Sequence, residues 1–212
     1  MELLALSFRY PEERLAEALV AGEWADAARE LASVFGIALP ADFGQVICDD
    51  AEGAAFPSSA AAFKALRAEA TRLLVGAPKS VVPSYEGLWR AAEDGVEPVH
   101  FVNPHTMDVE RFMRSCGLGQ PEGTNEPLDY IATELEFMQF LCLVEAGNAS
   151  VADAAVAPGD YPGGSAAAAY EIFMKEHALA WIPAYADAVR DEARLPFYRA
   201  AAQLLRAYFS EA

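Results

Sequence analysis

Residues 127–146 are the part of this sequence that most restricts the fold. Their apolar side chains recur at helical spacing in two adjoining rows: Ile131, Leu135, Met138 and Cys142, then Phe137, Leu141 and Val144. An apolar arc of this width does not fit a surface helix, which needs a polar face toward water. The pattern therefore predicts a helix in the middle of a helical core, with Pro127 fixing its start.

Other segments show the same period, so the chain is predicted to be all-α. Apolar residues repeat at helical spacing in two stretches broken at Gly22, in a helix capped by Ser58 or Ser59, and in residues 107–116, 166–191 and 195–209. No alternating strand pattern and no fixed-period repeat competes with this interpretation. We expect one non-repetitive, single-domain helical bundle over residues 1–212.

Proline and glycine interrupt this helical pattern in three places. Residues 76–89 and 97–106 are interpreted as loops, and residues 147–165 as a flexible connector. A connector of this length allows the last two helices to pack on a neighbouring chain, so the expected state is a monomer or a domain-swapped dimer.

The charge of the chain restricts its partners. Lys and Arg number 15 against 32 Asp and Glu, a formal net charge of -17. This balance disfavours binding to nucleic acid or to an anionic membrane, and favours a basic peptide. The first residues lack the pattern of a secretory signal, and no run reaches the roughly 18 apolar residues of a membrane span. A cytoplasmic protein without stable membrane insertion is expected.

Motifs of catalysis and cofactor binding are missing from the sequence. It contains no GxxxxGK[ST], GxGxxG or GxSxG, and its three cysteines form no CxxC pair, so buried thiols, no enzyme activity and no cofactor are expected. His100 and His105 lie five positions apart, which fits no standard helical ligand pair, and a metal-dependent enzyme stays the weaker alternative. His177 lies on an apolar stripe and is expected to be a hydrogen-bonded structural histidine.

Carboxylates and aromatic residues cluster near the start of the predicted central helix. Glu126 and Asp129 flank Pro127, and Asp129 also suits the first turn of a helix. An upstream loop offers a second group: Tyr85, Glu86 and Trp89. Carboxylates beside aromatic faces form a good receptor for arginine side chains.

At these residues the sequence resembles the TorD/DmsD family of redox-enzyme maturation chaperones. The family's E-P-x-D-H and E-L-x-F-M motifs match Glu126, Pro127, Asp129, Glu134, Leu135, Phe137 and Met138. Its E-Y-x-x-L-F and P-P-Y-E-S segments match Glu69, Leu73, Leu74, Pro83, Tyr85 and Glu86. FMKEHALAW and PFYRA resemble its F-x-x-x-H-L-x-x-W and F-Y motifs, so the likeness covers most of the chain. Ala70, Leu74 and Tyr130 depart from the family's usual Tyr, Phe and His.

The resemblance implies an all-α cytoplasmic chaperone that binds the twin-arginine leader of a molybdopterin oxidoreductase, and often the immature (apo) enzyme itself, until the cofactor is inserted. The implied arginine partners are Asp129 first, then Glu126 and Glu86. The implied apolar and aromatic contacts are Tyr85, Trp89, Tyr130 and Leu74, with Pro127 fixing the helix entry. A generic acidic helical adaptor that binds a folded partner is the main alternative.

Overall fold

The computed structural model describes residues 1–40, 43, 48–76, 79–95, 103–120, 123, 126–149 and 156–211. In these residues the regular structure is helical, and β-type pairing is limited to two isolated bridges, Asp49 with Ala55 and Tyr85 with Tyr130. The prediction of an all-α fold is confirmed.

The helices follow one another along the chain as α1 to α10. Their bounds are α1 Glu2–Phe8, α2 Glu13–Val20, α3 Glu23–Val34, α4 Ser59–Ala70, α5 Glu86–Glu93, α6 Pro104–Ser115, α7 Ile131–Glu145, α8 Ala166–Phe173, α9 Leu179–Glu192 and α10 Pro196–Glu211. Two π-helical turns, Thr71–Val75 and Met174–Ala178, continue α4 and α8. Two short 3₁₀ turns, Pro158–Asp160 and Pro162–Gly164, precede α8.

Local sequence signals explain several of these boundaries. Gly22 separates α2 from α3 with φ of 82°, a conformation that a side chain would strain. Ser58 caps α4, since its hydroxyl accepts a hydrogen bond from the Ala61 N–H, and Ser165 caps α8 in the same way through Ala168. Of the two predicted caps for α4, Ser58 is the correct one.

The chain divides into two compact units. The first unit comprises Met1–Ala5 and Ser84–Trp181, and the second comprises Leu6–Pro83 and Ile182–Ala212. The expected single domain over residues 1–212 stays a prediction.

The core of the second unit is built on aromatic residues. Trp24 is buried, its Nε1–H donates to Ser7 Oγ at 2.9 Å, and its ring meets Phe197 edge-on with centroids 5.2 Å apart. Phe8 and Tyr185 form a second edge-on pair at 5.5 Å. Each fully buried large apolar side chain contributes roughly 1.5 to 3 kcal/mol, so these residues stabilise the unit strongly.

In the first unit α7 packs against α8. Phe137 on α7 meets Phe173 on α8 with ring centroids 4.8 Å apart, and Phe112 on α6 lies 5.3 Å from Phe173. The predicted apolar face of α7 is buried at Leu135 and Met138. The expectation of buried thiols is wrong for Cys142, which is exposed near the end of α7.

Three further expectations about the elements need correction. The central helix begins at Ile131, four residues after Pro127. The stretch interpreted as a loop at Tyr85 leads directly into helix α5. The second half of the interpreted connector, residues 156–165, contains the two 3₁₀ turns and a buried Tyr161. The flexibility expected of that connector stays a prediction.

Candidate functional site

Two stretches distant in sequence lie side by side in the first unit. The Glu86 N–H donates to the Asp129 carbonyl at 3.0 Å, and the Ile131 N–H donates to the Ser84 carbonyl at 2.9 Å. These two bonds form the isolated bridge between Tyr85 and Tyr130. The first turn of α5 is thereby joined to the first turn of α7.

Asp129 caps α5, although it comes just before α7 in the sequence. Its Oδ2 accepts hydrogen bonds from the Gly87 N–H at 2.9 Å and from the Thr106 hydroxyl at 2.7 Å. A carboxylate at a helix N-terminus satisfies free N–H groups and interacts favourably with the helix dipole. Asp129 is only 1% exposed, so its carboxylate faces the interior of the unit. Burial raises its pKa, and the bonds from Gly87 and Thr106 oppose that rise only in part.

The early start predicted for α7 is wrong because residue 129 has a different role. Its backbone carbonyl pairs with Glu86 and its side chain with α5, so helical bonding of the chain begins only at Ile131. Pro127 therefore precedes a turn rather than opening the helix.

An aromatic surface with one carboxylate lies beside this bridge, and we call it the Tyr85 surface: Tyr85, Glu126, Pro127 and Tyr130. The Tyr85 hydroxyl donates to Glu126 Oε1 at 2.6 Å, and the rings of Tyr85 and Tyr130 lie 5.5 Å apart. Glu126 is exposed, whereas the other three side chains are half-buried. Burial and then the bond to Glu126 raise the pKa of Tyr85, so its phenol stays protonated and donates.

Glu86 connects α5 to the π-helical turn Met174–Ala178. It is fully buried and accepts from Arg90 Nη1 at 3.0 Å, while His177 Nδ1 lies 3.2 Å from each of its carboxylate oxygens. Arg90 also donates to the Glu176 carbonyl at 3.0 Å. The carboxylate therefore fixes both a cation and an imidazole.

Glu134, on α7, is a second fully buried glutamate of this unit. Its Oε2 accepts from Trp181 Nε1 at 3.0 Å, and its Oε1 has no hydrogen-bond donor among the described residues. Burial, and then repulsion from Glu86, raise the pKa of Glu134 well above the ordinary value of a glutamate. We call Glu86, Asp129 and Glu134 the buried carboxyl cluster.

A cavity of about 450 Å³ borders this network. Its lining combines charged, imidazole and aromatic side chains: Arg90, His105, Asp108, Arg111, Phe112, Ser115, Glu176 and His177. His105 pairs with Asp94 across 2.8 Å, which occupies its Nε2. His100, the other histidine of the metal alternative, lies outside the described residues. Within the described part of the chain, no group of three or more His, Cys, Asp or Glu is placed to hold a metal ion.

The residues expected to bind a peptide are distributed over both units. The first unit contains all of them except Leu74: Tyr85, Glu86, Trp89, Glu126, Pro127, Asp129 and Tyr130. Leu74 belongs to the second unit, in the π-helical turn Thr71–Val75, and is 7% exposed. Trp89 is half-buried on α5.

The expected peptide site left out three residues that the network depends on. Arg90 and His177 bind Glu86, and Trp181 binds Glu134. His177 and Trp181 share a spacing of four residues on one helical stripe. That spacing predicts a common face, but nothing in the sequence pairs this face with Glu86 or Glu134.

These features define a class: an acidic, all-α protein whose polar motif residues converge at the start of α5 in the first unit. The chain belongs to the nitrate reductase delta subunit family, whose family model matches residues 8–187. This is a family of redox-enzyme maturation chaperones of the TorD-like type, and a general chaperone role follows from membership. Comparison with curated proteins and with solved structures gave no match. No helix in the described residues combines the length and apolarity of a bilayer span.

Proposed function

We propose that this chaperone acts in the cytoplasm on a molybdopterin oxidoreductase, binding its twin-arginine leader and its immature body. Binding holds the enzyme back from export until the cofactor has been inserted. The proposal takes its client class from the family, whose members bind subunits of molybdoenzymes.

The observation that carries the proposal is the convergence of three separate motif segments in one unit. Tyr85 and Glu86 come from the first segment, Asp129 from the second and His177 from the third. They are joined by the backbone bridge and by the bonds to Glu86. Residues that match a family's motifs and also bond to one another support a common role in that family's activity.

The Tyr85 surface is the proposed contact for the leader. Glu126 is its exposed carboxylate and would receive an arginine guanidinium, while the rings of Tyr85 and Tyr130 offer aromatic faces to the same cation. The net charge of -17 adds long-range attraction for a basic peptide.

Asp129 and Glu86 have a supporting role in this proposal. Both are buried and already bonded inside the unit, so an incoming arginine would have to displace existing partners. They position α5, and with it Tyr85 and Trp89, beneath the peptide. Leu74 is buried in the second unit and is not part of the proposed surface.

The test is isothermal titration with a leader peptide from an oxidoreductase encoded beside the chaperone gene. We expect micromolar or tighter binding, weakened about tenfold by Glu126→Gln, because a charge-assisted hydrogen bond is worth roughly 1.5 kcal/mol. A peptide with both arginines changed should lose a similar amount. Glu93→Gln is the matched control, since Glu93 is an exposed glutamate of the same unit.

The outcomes separate the candidate functions. If Glu126→Gln and Glu93→Gln bind the leader equally well, the Tyr85 surface is not the contact. If the leader does not bind but the whole immature enzyme does, the protein is an adaptor for a folded partner.

A further inference from the structure

Three carboxyl groups lie together in the first unit, out of contact with water. Glu86 and Glu134 are fully buried, and Asp129 is 1% exposed. Burial is the largest cause of the raised pKa of Glu134 and of Asp129, and repulsion from Glu86 adds to it in both. An ionised carboxylate without compensation is very costly in such a place.

The three carboxyl groups differ in how many hydrogen-bond donors and positive charges they contact. Glu86 has the guanidinium of Arg90 and the ring of His177. Asp129 has two hydrogen-bond donors and the N-terminus of α5. Each of these two sites can therefore hold a negative charge.

Glu134 lacks comparable partners. Its one described donor is the neutral indole N–H of Trp181, and its Oε1 is buried without a donor among the described residues. The charged groups that face it are the carboxylates Glu86 and Asp129. Arg90 and His177 reach the cluster through Glu86.

We propose that Glu134 carries a proton in the native protein and donates it to a carboxylate oxygen of Glu86, so that removal of this proton at high pH loosens the first unit. The O–H of Glu134 then supplies the missing hydrogen bond of the cluster, and one negative charge is shared by the pair. At high pH, hydroxide takes the proton and forms water. The pair is left with two negative charges opposite Arg90 and His177.

The direction of the pH effect follows from the sign of the shift. Burial and Glu86 raise the pKa of Glu134 in the native state above its value in the unfolded chain. Between these two pKa values the native protein binds one proton more than the unfolded protein does. Stability is therefore complete below the unfolded pKa and declines as pH rises toward the native pKa. One such proton changes the unfolding equilibrium constant tenfold per pH unit.

Infrared spectroscopy tests the proton directly. The native protein at pH 7 should show the C=O stretch of a protonated carboxyl group, shifted in D₂O and lost when urea unfolds the chain. The band should disappear in Glu134→Gln and persist in Glu17→Gln, a control at an exposed glutamate. Absence of the band from the native protein, or its persistence in Glu134→Gln, overturns the proposal.

Urea unfolding between pH 5 and 9 tests the consequence, because the decline begins just above the unfolded pKa of a glutamate. Stability of the native protein should decline with rising pH, and Glu134→Gln should remove most of that decline while Glu17→Gln keeps it. An equal decline in both variants overturns the link to Glu134. Stability that depends on Na⁺ or K⁺ concentration rather than pH would mean that a cation replaces the proton. If Glu134→Gln does not fold, absence of the infrared band from the native protein at pH 7 still overturns the proposal.

Discussion

Two buried glutamates, one in each unit, have opposite environments. Glu69 of the second unit accepts from Arg72 Nε and Nη2 at 2.9 Å each, and from the Arg194 N–H at 2.6 Å. Glu134 of the first unit accepts from Trp181 alone among the described donors and is close to other acids. Their exposures are similar, at 6% and 0%.

The difference shows that burial alone does not decide the charge of a carboxyl group. Burial acts to raise the pKa of Glu69, but the bonds from Arg72 and Arg194 outweigh it and the pKa is lowered. At Glu134 the bond from Trp181 is too weak to offset burial and repulsion. Glu69 is thus a fully satisfied structural carboxylate that ties α4 to the chain entering α10, whereas Glu134 is sensitive to pH.

Removing the carboxylate of Glu69, whose hydrogen bonds are all satisfied, should have the largest effect on stability. Glu69→Ala leaves Arg72 and the Arg194 N–H without their acceptor, so we expect a loss of about 3 kcal/mol in the free energy of unfolding. Urea denaturation measures it. Glu30→Ala, at an exposed glutamate of the same unit, should change stability by less than about 0.5 kcal/mol. Equal losses in the two variants would contradict a structural role for Glu69.

Adding a side chain at Gly87 on α5, beside the buried carboxyl cluster, should have an intermediate effect on stability. A Cβ at Gly87 would overlap the Thr106 hydroxyl and come within 3.0 Å of Asp129 Oδ2. Gly87→Ala should therefore cost about 2 kcal/mol by urea denaturation and weaken leader binding, because the cap of α5 is displaced.

Gly159→Ala is the matched control for that change. Gly159 lies in the same unit, and a Cβ added there would meet no atom of the described residues within 4 Å. A Gly87→Ala protein as stable as Gly159→Ala would mean that α5 and α6 adjust without cost.

The smallest expected effect is on the acid side of the stability curve. The pKa of Glu69 is lowered on folding, so the unfolded chain binds more protons in the window between the two pKa values. The stability from Glu69 is present above the unfolded pKa and is lost as pH falls through the native pKa. Glu69→Gln should reduce the loss between pH 5 and pH 3 by roughly 1 kcal/mol or less. If a stably folded Glu69→Gln protein lost as much stability between pH 5 and pH 3 as the native protein, Glu69 would not differ from Glu134 in the way described.

Helical periodicity predicted most of the elements because apolar spacing directly reports a buried helix face. It located α2, α3, α10 and the apolar face of α7. It missed α5, where Gly87 and the nearby prolines obscure a helix whose cap is Asp129, far along the chain. A cap supplied by tertiary structure leaves no local signal, so neither the helix nor the burial of Asp129 could be inferred.

The sequence motifs singled out residues of the candidate site. They did not indicate which of those residues contact one another, or which other residues they contact. Tyr85, Glu126 and Tyr130 were singled out, and they do lie together. The bond of Glu86 to Arg90 and His177 depends on how α5 packs beside a later helix. Such long-range pairing is not encoded in the spacing of any one segment.

The π-helical turn Met174–Ala178 changes the phase between the residues on either side of it. A π turn holds one residue more than an α turn, and each residue of an α-helix rotates the chain by about 100°. Because the π turn takes up this extra residue, deleting one residue from it and returning it to α-helical geometry would leave Phe173 and Trp181 facing nearly the same directions. The π turn therefore absorbs a difference of one residue in length, and we expect a one-residue deletion within Met174–Ala178 to be tolerated better than one inside α9.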